Sequence, residues 1–114
     1  MENDLTKNRC EACRIDAPVL TDKEIEQLLP QIPSWIISEQ DGIKKLICSY
    51  AFLNYEDSVK FTNEVANLAE QEDHHPEITF GYSNLTIKFF TYAINGLSEN
   101  DFICAAKIDK TMKY

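Results

Sequence analysis

The chain holds two histidines, and they are adjacent. His74 and His75 sit in the stretch EQEDHHPEITFGY, behind three acids and ahead of a proline. Imidazole is the side chain whose ordinary pKa, about 6.5, lets it both give and take a proton near neutrality. Proline disfavours helix for the residue before it, so Pro76 pushes His75 toward extended backbone and aims its ring away from that of His74. Two imidazoles can then address one ligand from different directions, one as acid and one as base. Glu70, four residues before His74, would share a helical face with it and can hydrogen-bond it. Glu72 and Asp73 add negative charge beside whichever ring serves as the acid. The pattern also fits a plainer reading, in which an exposed His-His-Pro only ends a helix and its acids form a solvated face.

The elements that must position this pair are legible on either side. Thr21-Asp22-Lys23-Glu24 is a capping box, and the helix it opens carries Ile25, Leu28 and Leu29 on one face until Pro30 and Pro33 stop it. Trp35 to Ile37, the turn signal Asp41-Gly42 and the run from Ile43 to Phe52 predict a hairpin, whose second arm alternates Leu46, Cys48, Tyr50 and Phe52 with smaller residues. Asn54, with Asp57 three residues on, caps a longer helix in which Phe61, Val65, Leu68 and Ala69 recur at helical spacing, ending near Asp73. Ile78, Phe80 and Tyr82, then Leu85, Ile87 and Phe89, predict a second pair of strands around a turn at Ser83-Asn84. Gly96 breaks the chain, and Ser98-x-x-Asp101 caps a last helix with Phe102, Ile103 and Ala106 on its apolar side. The order α-β-β-α-β-β-α predicts an α+β fold in which helices cover a face of an antiparallel sheet.

With 114 residues, 44% hydrophobic and 26% charged, one folded domain is expected over residues 19–114, preceded by a flexible arm over residues 1–18. The polar N-terminus and the short apolar runs predict a cytoplasmic protein without a membrane span. A net charge of -8 without a basic cluster argues against nucleic acid and anionic membranes as partners, leaving a small molecule or a protein. Cys48 and Cys104 lie in apolar surroundings and read as core. Cys10 and Cys13 form a C-x-x-C, but a tetrahedral metal site needs two further ligands at a recognisable spacing and there is no second cysteine pair, so no metal is expected.

Glu70-x-x-x-His74-His75-Pro76, then Tyr82 after five residues, then Gly96-Leu97-Ser98-x-x-Asp101, closely resembles the signature of the pterin-4a-carbinolamine dehydratases. The likeness extends to RCEACRIDAPVLTDKEIEQLLPQIPSW, which is similar to the N-terminal part of bacterial members associated with phenylalanine hydroxylase, and to FTNEVANLAE and NDFICAAKID in the two long helices. The resemblance implies a four-stranded antiparallel sheet with helices on one face and assembly into homodimers or homotetramers. It implies removal of water from 4a-hydroxytetrahydrobiopterin to give the quinonoid dihydrobiopterin, in recycling of the pterin of aromatic amino acid hydroxylases, without metal or cofactor. It also implies possible association with such a hydroxylase.

By matching position the resemblance makes His74 and His75 the acid/base residues, with Glu70 orienting them. Asp73, Pro76 and the segment Phe90, Thr91, Tyr92 and Ala93 would hold the pterin. One position departs: ten residues after Tyr82 the family usually has a third histidine, occasionally tryptophan, and this chain has Tyr92. A phenol donates a hydrogen bond but is a poor base near neutrality, so reduced activity is the expectation. Relatives of this fold that act as dimerisation cofactors or assembly factors supply the alternative, a protein-binding module.

Overall fold

The computed structural model describes Leu5 and residues 19–111, so both the arm before residue 19, Leu5 apart, and the C-x-x-C of Cys10 and Cys13 lie outside the described residues. Helix α1, Asp22–Leu28, opens on the capping box: Glu24 N–H donates to the Thr21 hydroxyl at 3.2 Å, and Thr21 N–H to the Glu24 carboxylate at 2.8 Å. A 3-10 turn at Leu29–Gln31 follows, with Pro30 inside it. Strands β1, Ile36–Gln40, and β2, Ile43–Ala51, form the expected hairpin. Its turn residues Asp41 and Gly42 both take positive φ, 53° and 78°, which matches the twist of the strands they join.

Helix α2, Tyr55–Glu72, starts under the Asn54 cap, whose side chain accepts from Asp57 N–H at 2.8 Å. Strands β3, Glu77–Phe80, and β4, Asn84–Phe89, pair so that Phe80 faces Leu85 and Gly81 N–H reaches the Asn84 carbonyl at 2.9 Å. The connecting residues are therefore Tyr82 and Ser83, one step earlier than the expected Ser83-Asn84, and Tyr82 leaves the strand for the exposed turn. Helix α3, Glu99–Thr111, closes the chain. The four strands run in the order β1-β2-β4-β3, all antiparallel.

Alternation fixes which face is covered. Leu46, Cys48, Leu85, Ile87 and Phe89 are buried, and Phe61, Val65, Phe102, Ile103 and Ile108 of the helices join them in one core. Leu5 is buried in that core as well, with its N–H 3.3 Å from the Gln31 side-chain oxygen. Trp35 anchors the hairpin to α3, its indole N–H donating to Asp109 at 2.9 Å; the Tyr50 hydroxyl donates to the same carboxylate at 3.3 Å. Burial first, and then the neighbouring Cys48, push the Tyr50 phenol far above its ordinary pKa, so it remains a donor there.

Ser58 ties α2 to the β3-β4 turn. Its fully buried hydroxyl lies 3.1 Å from the Gly81 carbonyl and 3.2 Å from that of Asn84. Ser58→Ala removes the hydroxyl donor from the Gly81 carbonyl, while that of Asn84 keeps the Gly81 N–H, and a loss of about 1–3 kcal/mol is expected in urea unfolding. A change below a few tenths of a kcal/mol would show that the turn is held without it. Among the described residues no helix is long and apolar enough to cross a membrane.

Candidate active site

Helix α2 ends at Glu72 because Asp73 adopts a left-handed conformation, φ 54° and ψ 40°, which a short polar side chain tolerates better than a branched one. His74 N–H then reaches back to the Ala69 carbonyl at 3.1 Å, the 6→1 bond of a Schellman end. This reversal separates the two histidines. His74 turns inward and is 2% exposed, while the His75 side chain stays outside at 57%.

The inward ring is tightly held. His74 Nε2 lies 2.6 Å from Asp101 Oδ1, and its imidazole stacks on Phe89 with centroids 5.6 Å apart and 5° between planes. Asp101, in the first turn of α3, is fully buried; its Oδ2 accepts from the Thr91 hydroxyl and from Ser98 N–H, each at 2.9 Å. The Thr91 and Ser98 hydroxyls are themselves 2.7 Å apart. A buried carboxylate persists only when its lone pairs are taken up by donors, and here the donors come from three places: the end of α2, the residues after β4 and the start of α3. Lys107 adds a second tie between α3 and α2, its ammonium 2.7 Å from Glu72 Oε2.

The outward ring is held by one exposed contact. His75 Nε2 is 2.9 Å from Glu70 Oε1. The expected bond from Glu70 to His74 is not the one formed: the i, i+4 geometry assumes that the helix continues, and Asp73 ends it, so His74 swings to the core and His75 comes round to Glu70. Asp73 is exposed and Pro76 half-buried beside them.

Glu77 pairs with Lys88, and continuing that register past the start of β3 sets His75 opposite Phe90 and His74 opposite Thr91. The shared bonds of His74 and Thr91 to Asp101 agree with this alignment. The end of the sheet thus has two faces. His74 and Thr91 are buried on the helix side, while His75 is exposed on the other, where Phe90 is buried against Tyr92 and Lys45. Tyr92 packs on Phe90 with ring centroids 4.3 Å apart and is 68% exposed; Ala93 follows in the 3-10 turn Tyr92–Ile94. All nine residues singled out from the sequence therefore lie at this end of the molecule.

Two members of the site were read from the sequence as a helix cap and as part of the family signature, without a role of their own at the site. Ser98 and Asp101 form part of the cap of α3, but the Ser98 hydroxyl turns to Thr91 and the Asp101 carboxylate also reaches His74. The available signal was an acid abutting Phe102 and Ile103, where a carboxylate is buried only if it is paired. Chemically, the arrangement offers one imidazole fixed against a buried carboxylate and one solvent-facing imidazole backed by an exposed carboxylate, next to an exposed aromatic ring. Among the described residues no three His, Cys, Asp or Glu side chains converge as a metal site.

Comparison with known proteins bears on this geometry. Residues 18–111 match the family model described as Pterin 4 alpha carbinolamine dehydratase. A protein of Photobacterium profundum bearing the pterin-4-alpha-carbinolamine dehydratase name is 43% identical over 111 residues, 97% of this chain and 99% of its own length. One of Saccharophagus degradans, with the same name, is 44% identical over 107 residues, 94% of this chain and 95% of its own. Among solved structures, a transcriptional coactivator/pterin dehydratase from Brucella melitensis superposes with a TM-score of 0.75 at 27% identity, covering 84% of this chain and all of that one. A pterin dehydratase-like protein identified as a RuBisCO assembly factor in the alpha-carboxysome gives 0.58 at 27% identity, over 68% of this chain and 87% of that one. The family match runs from before the first helix to the end of the last, and close relatives align over nearly their whole length: the chain belongs to the pterin 4 alpha carbinolamine dehydratase family.

Proposed function

We propose that the protein dehydrates a 4a-hydroxytetrahydropterin to the quinonoid dihydropterin, acting in the cytoplasm as a homo-oligomer in recycling of the pterin of an aromatic amino acid hydroxylase. In this step the C4a–O bond breaks, the hydroxyl leaves as water with a proton delivered to it, and a ring nitrogen gives up a proton. No electrons pass to or from the protein, so the chemistry asked of it is proton transfer and orientation.

The single observation that carries this reading is the His75 imidazole, exposed and braced 2.9 Å from Glu70, beside a second imidazole locked on a buried carboxylate. The two rings divide the work. His75 exchanges protons with the substrate, and the Glu70 carboxylate 2.9 Å from its Nε2 holds the ring in place. His74, held by Asp101, fixes the backbone from which His75 projects and is the second acid/base candidate. Tyr92 offers a ring face to the planar pterin, backed by the buried Phe90, with Asp73, Pro76 and Ala93 at its rim. The hydroxyl, N–H and carbonyl of Thr91 are engaged by Asp101, Gly96 and Ile94, so Thr91 serves by holding Phe90 and Tyr92 in place. The test follows the quinonoid absorbance from freshly generated 4a-carbinolamine: acceleration over buffer is expected, and folded protein that gives none ends the proposal.

Tyr92, together with solved relatives titled as a coactivator and as an assembly factor, favours a second reading in which the chain is a weak catalyst that binds another protein. Tyr92→His discriminates. Under the dehydratase reading it restores a second solvent-facing acid/base group and raises kcat by about tenfold or more, the low end of what a placed proton-transfer group contributes. An unchanged rate, with stoichiometric capture of one defined protein partner, would decide for the binding module.

A further inference from the structure

Among the described residues, three that are not glycine take a positive φ. Asp41 turns the first hairpin, and Asp73 ends α2 at the histidines. The third is Asn95, at φ 49° and ψ 47°, directly after the 3-10 turn Tyr92–Ile94. Its side chain is exposed and joins no hydrogen bond among the described residues, so its contribution lies in its backbone. The left-handed region strains an L-residue, asparagine less than most, and such strain gathers where a functional site is held in shape.

The left-handed step closes the loop Tyr92-Ala93-Ile94-Asn95. Thr91 and Gly96 pair across its base as an isolated antiparallel bridge, Thr91 N–H donating to the Gly96 carbonyl at 2.8 Å and Gly96 N–H to that of Thr91 at 3.4 Å. Within it, Ile94 N–H reaches the Thr91 carbonyl and Asn95 N–H the Tyr92 carbonyl, each at 3.2 Å. Closed in this way, the loop sets the Tyr92 ring centroid 4.3 Å from that of Phe90 and leaves the phenol exposed, while Thr91 beside it is buried and bonded to Asp101. Three of the four closing bonds measure 3.2–3.4 Å, at or beyond the long end of the usual range, so closure has little stability in reserve against added strain.

We propose that Asn95 is a positioning residue of the pterin site, its left-handed backbone closing the Thr91–Gly96 loop so that the Tyr92 ring stands against Phe90 ready for the ligand. This rests on the dehydratase reading for the identity of the ligand, and it adds a residue that acts only through Tyr92. A ligand that needs the closed loop binds with an apparent dissociation constant that rises as the closed fraction falls. Once it is bound the loop is closed and His75 is unaltered, so the chemical step keeps its rate.

The experiment compares Asn95→Val, Asn95→Ala and Asn95→Gly in the full chain, by calorimetric binding of a stable pterin and by kcat and KM for dehydration. A β-branched residue fits the left-handed region worst, and glycine adopts it freely. Asn95→Val is expected to raise Kd and KM about tenfold, the size of the left-handed strain expressed as an equilibrium ratio, with kcat within about twofold of the parent. Asn95→Ala should fall between, and carries the test if the valine variant does not fold; Asn95→Gly should return Kd and KM to within about twofold of the parent. In a Tyr92→Ala background Asn95→Val should add less than about twofold, because the ring that Asn95 positions is gone. Parental Kd in the folded valine and alanine variants, a loss in Asn95→Gly as large as theirs, or the full loss persisting on top of Tyr92→Ala overturns the role of Asn95 while leaving dehydration to be judged by its own assay. Failure of the parent chain to bind the pterin overturns this role and the pterin reading together.

Discussion

His75→Ala is expected to lower the rate of pterin dehydration by about 10² to 10⁴, the usual contribution of a positioned acid/base group. It is expected to leave the urea unfolding free energy within about 0.5 kcal/mol of the parent, because surface substitutions away from buried networks rarely do more. The ring is solvent-facing and its bond is to a carboxylate that is itself 83% exposed, so nothing in the core depends on it. The split between a large kinetic effect and a small stability effect separates chemistry from folding. A rate within a few-fold of the parent would remove His75 from the proton path.

The opposite signature is expected at Asp101. Asp101→Ala withdraws the acceptor shared by His74, Thr91 and Ser98 and leaves three buried donors without it. Breaking a buried, multiply bonded charge typically costs about 3–5 kcal/mol, and that loss should be read in urea unfolding. Asp101→Asn keeps the size but loses one acceptor oxygen, and it should fall between the parent and the alanine variant. Since this carboxylate joins the end of α2 to the residues after β4, dehydration should also slow in Asp101→Asn through misplacement of His75 and Phe90. A loss below about 1 kcal/mol in Asp101→Ala would mean that the junction is held elsewhere, for example through Lys107 and Glu72.

Much of this arrangement was legible in the sequence because local chemistry and global packing agree. Thr21 with Glu24, Asn54 with Asp57 and the Asp41-Gly42 turn are self-contained signals, and each forms as written. Leu85, Ile87 and Phe89 alternate cleanly because one face of β4 meets the helices and the other does not. At the site, the histidine pair and the segment after β4 were legible as residues. Their division into an inward and an outward ring was not, since it turns on Asp73 adopting a left-handed backbone at the helix end. That choice moved the Glu70 contact from His74 to His75. The link from His74 to Asp101 spans 27 residues and three elements, and no local pattern encodes so long a tie. The turn at Tyr82-Ser83 was displaced by one residue because strand alternation through Tyr82 fits equally well until the Phe80–Leu85 register is known.

In the proposed dehydratase, the opposed placement of the two rings gives one of them access to the substrate and makes the other a support. Its most direct test is the imidazole region of a nitrogen-resolved NMR spectrum as a stable pterin is added to protein with labelled histidines. The His75 ring resonances should shift progressively to saturation, while those of His74, shielded and bonded to Asp101, move little. Large shifts confined to His74, with His75 unaffected, would contradict the account.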